Sequence, residues 1–228
     1  MRELLFILTI SIALFSACKS PENKNNVEHN KTCFCENDSL INHSTVSCDT
    51  IILNNKSKLF WQFNCERIWL TLEGENRQQA VIDSMPIDFY PLTYRLGYHL
   101  IKEFDNTLLF RSGCPANGPC VYNLIDKFTG KKIKEFDQLI CIDTEDDNYN
   151  FDFIVYLADT TDHLVIYYIN NEKLLKIPFT ENLTSAAYPQ QQFEEMKLKN
   201  NILELTYWTN DNSNKTLSIN LKDEKYSH

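Results

Sequence analysis

At 228 residues the chain is long enough for one well-filled core and short for two, so a single domain is expected beyond any targeting segment. Hydrophobic residues make up 43% and aromatics 12%, which excludes a disordered chain. The net charge of −9 comes without a Lys/Arg cluster, which excludes the basic patch that nucleic acid requires; it favours solubility and can steer a cationic protein partner.

The chain opens on a targeting signal. Arg2 supplies a minimal positive region, and Leu4 to Phe15 is an apolar run interrupted only by Thr9 and Ser11. That run is the length of a secretory core and falls short of the roughly 20 residues that span a bilayer. The next residues, Phe15-Ser16-Ala17-Cys18, resemble the lipobox of bacterial lipoproteins, with Phe15 where the family usually has Leu. Ordinary signal peptidase would need small residues at −3 and −1, which Phe15 denies to a cut after Ala17. The resemblance implies that residues 1–17 are removed and that Cys18 carries a thioether-linked diacylglycerol and an N-acyl chain. Each buried CH₂ contributes about 0.8 kcal/mol, so three chains anchor stably where one is marginal. Lys19 rather than Asp follows the cysteine, which in the sorting rule of some diderm bacteria permits passage to the outer membrane. Residues 18–32 are polar and lack aromatics, and read as the lipidated cysteine followed by a flexible tether.

From Cys33 to His228 the pattern becomes short β-branched and aromatic runs punctuated by Asn, Asp, Gly and Pro, which predicts one β-rich domain. Scarce Ala and abundant Asn point the same way, since Ala favours helix and Asn tolerates φ > 0 in turns. The predicted strand runs are Leu59–Leu72, Thr107–Ser112, Val121–Asp126, Phe151–Leu157, His163–Ile169, Ile202–Thr209 and Thr216–Leu221. Asp105-Asn106, Asn170-Asn171 and Asn200-Asn201 suit two-residue hairpin turns, and Gly130 suits the left-handed position of a longer loop after Val121–Asp126. One short helix is expected around Pro189–Lys197. The pentapeptide Ile101–Asp105 recurs unchanged as Ile133–Asp137, and strand-turn-strand units begin near Leu59, His99, Phe151 and Met196, which hints at blade-like repeats. The segment Tyr122–Lys131, in which a strand ends in Asp126 and a Thr129-Gly130 turn follows, resembles a hairpin of bacterial β-propeller repeats. The expected fold class is therefore all-β, an antiparallel meander, either small and propeller-like or a β-sandwich or open barrel.

Seven of the eight cysteines lie beyond Cys18, and export to an oxidising compartment makes disulfides their default use. Cys114 and Cys120 belong to the segment Gly113–Cys120, which carries two Pro and two Gly and can turn back on itself, so a bond between them is expected. Bridges among Cys33, Cys35, Cys48 and Cys65 are expected to staple the start of the domain, with their pairing and that of Cys141 left open. No cysteine pair has the spacing of structural zinc or of a Cys-x-x-Cys redox motif, and no metal or other cofactor is expected. The acidic run from Asp143 through Asp147 to Asp152 departs from a calcium loop, with Asn148 in place of the Gly and Ile154 in place of the Glu; it reads as a solvated loop.

His29 and His228 fall in the tether and at the C-terminus, and His99 and His163 at strand starts. None belongs to a nucleophile, metal or phosphate motif. Trp61 and Trp69 would share a face with Phe63 and Cys65 in one unbroken strand, and core packing is their expected role, as for Trp208. These features imply a lipid-anchored envelope protein without catalytic activity, anchored in the membrane and binding another protein. The alternatives are an inhibitor or immunity lipoprotein against a cationic hydrolase, and an envelope hydrolase whose site has no sequence signature.

Overall fold

A computed structural model of the chain describes residues 50–63, 66–86, 88–89, 96–114, 120–140, 151–158, 162–181, 183 and 189–222. The fold is all-β, as the sequence predicts, and consists of antiparallel sheets taken in chain order. The first holds β1 (Ile51–Ile52), β2 (Lys58–Phe63), β3 (Arg67–Glu73) and β4 (Gln79–Pro86). The second holds β5 (His99–Glu103), β6 (Thr107–Ser112), β7 (Val121–Asp126) and β8 (Lys132–Phe136). The third holds β9 (Phe153–Leu157), β10 (His163–Tyr168) and β11 (Leu174–Pro178); the fourth holds β12 (Phe193–Lys199), β13 (Ile202–Trp208) and β14 (Asn214–Asn220). Every strand pairs with its sequence neighbour, so each sheet is a meander. The third sheet is extended by a short bridge, in which Leu139 faces Tyr156 and the Ile140 N–H donates to the Val155 carbonyl at 2.9 Å.

Packing follows chain order as well. Leu59, Trp61, Ile68 and Leu70 of the first sheet meet Leu108, Phe110 and Ile125 of the second. The second sheet's other face presents Leu109, Leu124 and Phe136 to Ile154 and Tyr167 of the third. The third in turn presents Val155, Leu164, Ile166 and Leu175 to Leu203, Leu205, Tyr207 and Ile219 of the fourth. Strands β6, β9 and β10 therefore bury both faces, which is why they read in the sequence as continuous apolar runs rather than alternating ones. The middle sheets thus carry buried residues on both faces, while their outer strands β8 and β11 keep exposed positions, and the arrangement is an antiparallel meander of small sheets. The unit starts read near Leu59, His99, Phe151 and Met196 each fall in a different sheet.

Several expectations are corrected. Pro189–Gln192 is a single 3-10 turn and the residues after it form β12, so no α-helix spans Pro189–Lys197. Phe193 pairs with Tyr207 and Glu195 with Thr206, leaving Glu194 as the extra residue of a β-bulge. That bulge puts Phe193 and Met196 on one core face at a spacing of three, which imitates a helical period. The run Leu59–Leu72 is two strands: Trp61 pairs with Leu70 and Trp69 with Gln62, so Trp61 enters the core while Trp69 lies on the opposite face. The two copies of Ile-Lys-Glu-Phe-Asp lie along the two outer strands of the same sheet and are not equivalent positions of successive sheets.

Turn geometry is corrected in part. Asn200 and Asn201 both take positive φ, at 52° and 63°, as a two-residue turn demands. After β10 the left-handed residue is Glu172, at 56°, within a longer loop closed by the Tyr168 N–H to the Lys173 carbonyl at 2.9 Å. Asp105-Asn106 closes its hairpin without a positive φ.

Candidate functional site

The hairpin between β7 and β8 carries the residues that stand out. Asp126 ends β7, and its Oδ1 accepts from the Phe128 N–H at 3.0 Å, the Thr129 N–H at 2.7 Å and the Thr129 hydroxyl at 2.8 Å. Burial pushes this carboxyl up, but those donors outweigh it, together with nearby Lys131, and hold it below the ordinary 3.8. Gly130 takes φ 70°, and a Cβ there would stand 2.7 Å from the Ala80 Cβ and 3.0 Å from the Ile82 Cγ2. The turn is thus wedged against β4, in a position that only glycine fills without displacing a neighbour.

Lys127 precedes the tip and is 2% exposed. Its ammonium pairs with Glu103 and reaches the carbonyls of Phe104 at 3.3 Å and Asp105 at 3.4 Å, while its own N–H donates to the Asn106 carbonyl. Glu103 also accepts from the Asn54 N–H at 2.7 Å, which joins the β1–β2 loop to the same network. Both sides of the tip are therefore fixed, by Lys127 on one and by Asp126, Thr129 and Gly130 on the other. Between them Phe128 stands 62% exposed. Such an arrangement loses little further conformational freedom when the ring is covered.

Phe128 and Thr129 form one wall of a cleft of about 660 Å³, lined on its other sides by Asn55, Ser57, Gly74, Glu75, Asn76 and Gln78. Asn55 accepts from the Ser57 N–H at 3.2 Å and Asn76 from the Gln78 N–H at 3.1 Å, so each side chain is held against its own turn. Glu75 is the titratable group of the lining, loosely paired with Lys56 at 3.6 Å. The arrangement offers an apolar anchor with a polar rim.

No protein-family model matches the chain and no curated protein matches it.

The residues singled out in the sequence are distributed elsewhere. Cys114 and Cys120 are bonded, with sulfurs 2.10 Å apart, at the end of the second sheet opposite Phe128. Cys18, Cys33, Cys35, Cys48, Cys65, Cys141 and positions 143–150 of the acidic run lie outside the described residues. His99 begins β5 and His163 begins β10, the latter 2.8 Å from Asp162. Trp69 donates to Gln62 at 2.9 Å, and Trp208 is partly exposed on the outer face of the fourth sheet. Among the described residues no group of three or more His, Cys, Asp or Glu could hold a metal ion, and no helix is long and apolar enough to cross a membrane. Phe128 escaped the sequence reading, although an apolar residue inside an Asp-x-x-Thr-Gly turn is a signal that would have found it.

Proposed function

We propose that this is a lipid-anchored protein of the cell envelope that binds another protein and has no catalytic activity. The carrying observation is Phe128, an aromatic side chain held in solvent by a turn whose other residues are tied down. Interfaces concentrate their energy in a few rigid aromatic anchors ringed by polar groups, and truncating such an anchor costs about 2 kcal/mol or more. The Cys18 anchor rests on Phe15-Ser16-Ala17-Cys18 and would confine the binding face to the membrane surface, the outer membrane by the Lys19 rule.

The test is crosslinking and recovery of the full chain from intact envelopes, comparing wild type, Phe128→Ala and Cys18→Ser. The wild type recovers a stoichiometric protein partner, and Phe128→Ala loses about thirtyfold in affinity for it. A fatty-acid probe labels the wild type and not Cys18→Ser. Equal labelling would remove the anchor, and undiminished recovery by Phe128→Ala would remove the site. A narrower reading, a stoichiometric inhibitor of a cationic hydrolase, draws on the net charge of −9 and requires binding that weakens steeply with salt.

A further inference from the structure

A second cleft, of about 460 Å³, opens where the third and fourth sheets meet. Its apolar part joins Leu198 and Leu221 to an aromatic wall, in which Phe151 stacks on Phe153 with centroids 5.0 Å apart and planes 2° from parallel, and Tyr168 meets Phe153 edge-on at 5.9 Å. Around it stand Asn170 and Asn171 from the β10–β11 loop, Asn201 from the β12–β13 turn, and Asp152. The backbone of this rim is pinned, since the Ile169 N–H donates to the Asp152 carbonyl and the Leu221 N–H to the Asn201 carbonyl, both at 2.9 Å. The side chains are not. Among the described residues the amides of Asn170 and Asn201 have no hydrogen-bond partner, and Asn171 uses only its oxygen, accepting from the Lys173 N–H at 3.0 Å.

We infer that this cleft is a binding site for a neutral saccharide, with a pyranose ring against the aromatic wall and its hydroxyls on the Asn and Asp rim. Three features select that chemistry. A pyranose has an apolar C–H face, which an aromatic wall covers, and a girdle of hydroxyls that each donate and accept. Asn amides both donate and accept too, and Asp152 adds an acceptor. The volume falls within the roughly 300–1,000 Å³ of small-molecule sites. An extended peptide is disfavoured, because strand addition needs a sheet edge with free backbone groups, whereas these residues come from strand ends and turns. The site is separate from the Phe128 cleft and does not rest on the protein-partner reading.

The experiment uses the full chain in a zwitterionic, sugar-free detergent, with maltotriose and triacetylchitotriose as probes and saturation-transfer NMR as the readout. Irradiating aromatic protons should transfer saturation to the ring protons of at least one of the two sugars. Asn170→Ala combined with Asn201→Gly should weaken that binding at least tenfold; glycine at 201 keeps the left-handed backbone, so the turn survives. Phe128→Ala should leave it unchanged. No transfer with either sugar, equal affinity in the double variant, or loss of binding in Phe128→Ala would each overturn the site.

Discussion

Asp83 on β4 shows how a single residue conflicts with its surroundings. Its carboxylate accepts from the Tyr98 N–H at 3.1 Å, yet burial against the second sheet pushes it above the ordinary 3.8 despite that bond, the Ser84 N–H and His99. Tyr98, half-buried beside it, is pushed up to about 12 by that burial, with Asp83 and Glu135 adding to the shift. A carboxyl with a raised folded value binds its proton more tightly in the native state. Its contribution to stability is therefore full below the unfolded value and is lost as pH rises through the folded one. Asp83→Asn cannot ionise. Thermal melting across pH 3 to 7 should show the variant gaining on the wild type as pH rises; a constant difference would mean that Asp83 titrates normally. Lys127 handles the same problem differently, for its buried ammonium faces Glu103 and two carbonyls.

At the scale of elements, the loop from Gly113 to Cys120 joins two inner strands of the second sheet and is closed by its disulfide. In the chain-entropy view, a crosslink closing so short a segment stabilises by about 2.4 kcal/mol. Cys114→Ser with Cys120→Ser should lose about that much in urea unfolding without changing the slope, and a loss under 0.5 kcal/mol would show that the hairpin alone holds the loop. This bond was legible because the segment it closes carries Pro115, Gly118 and Pro119, which let the chain turn back. So were β6 and β7, whose apolar runs match their observed ends residue for residue. What the sequence concealed lies at irregularities. The bulge in β12 imitates a helix, and another in β4 makes Ile82 an extra residue between the partners of Leu70 and Thr71, so the Gln79–Pro86 strand lacks a clean alternation. The Thr129-Gly130 turn of the candidate site was legible from its own chemistry. The burial of Lys127 and the resulting isolation of Phe128 were not, because they depend on Glu103 from another hairpin.

For the whole molecule, serial packing has consequences that no single sheet shows. The described clusters join first to second, second to third and third to fourth sheet, so each layer is supported by its chain neighbours, as in repeat architectures. The second and third sheets are supported on both faces. The fourth is supported on one, and the alternation of β13, with Leu203, Leu205 and Tyr207 buried and Glu204 and Trp208 exposed, records that single apolar face. Local opening should therefore cost less in the fourth sheet than in the middle ones, since fewer buried contacts must be broken. Native-state hydrogen exchange tests this directly. The hydrogen-bonded amides of β6, β7 and β10 should exchange only with global unfolding, while those of β12 to β14 should exchange through a smaller opening whose denaturant dependence is weaker than that of global unfolding. The Asn170 and Asn201 rim straddles that boundary, so a bound saccharide should slow exchange in β12 to β14 more than in β6 and β7. Uniform exchange across all four sheets would mean that the layers unfold as one cooperative unit and that the serial contacts do not set local stability.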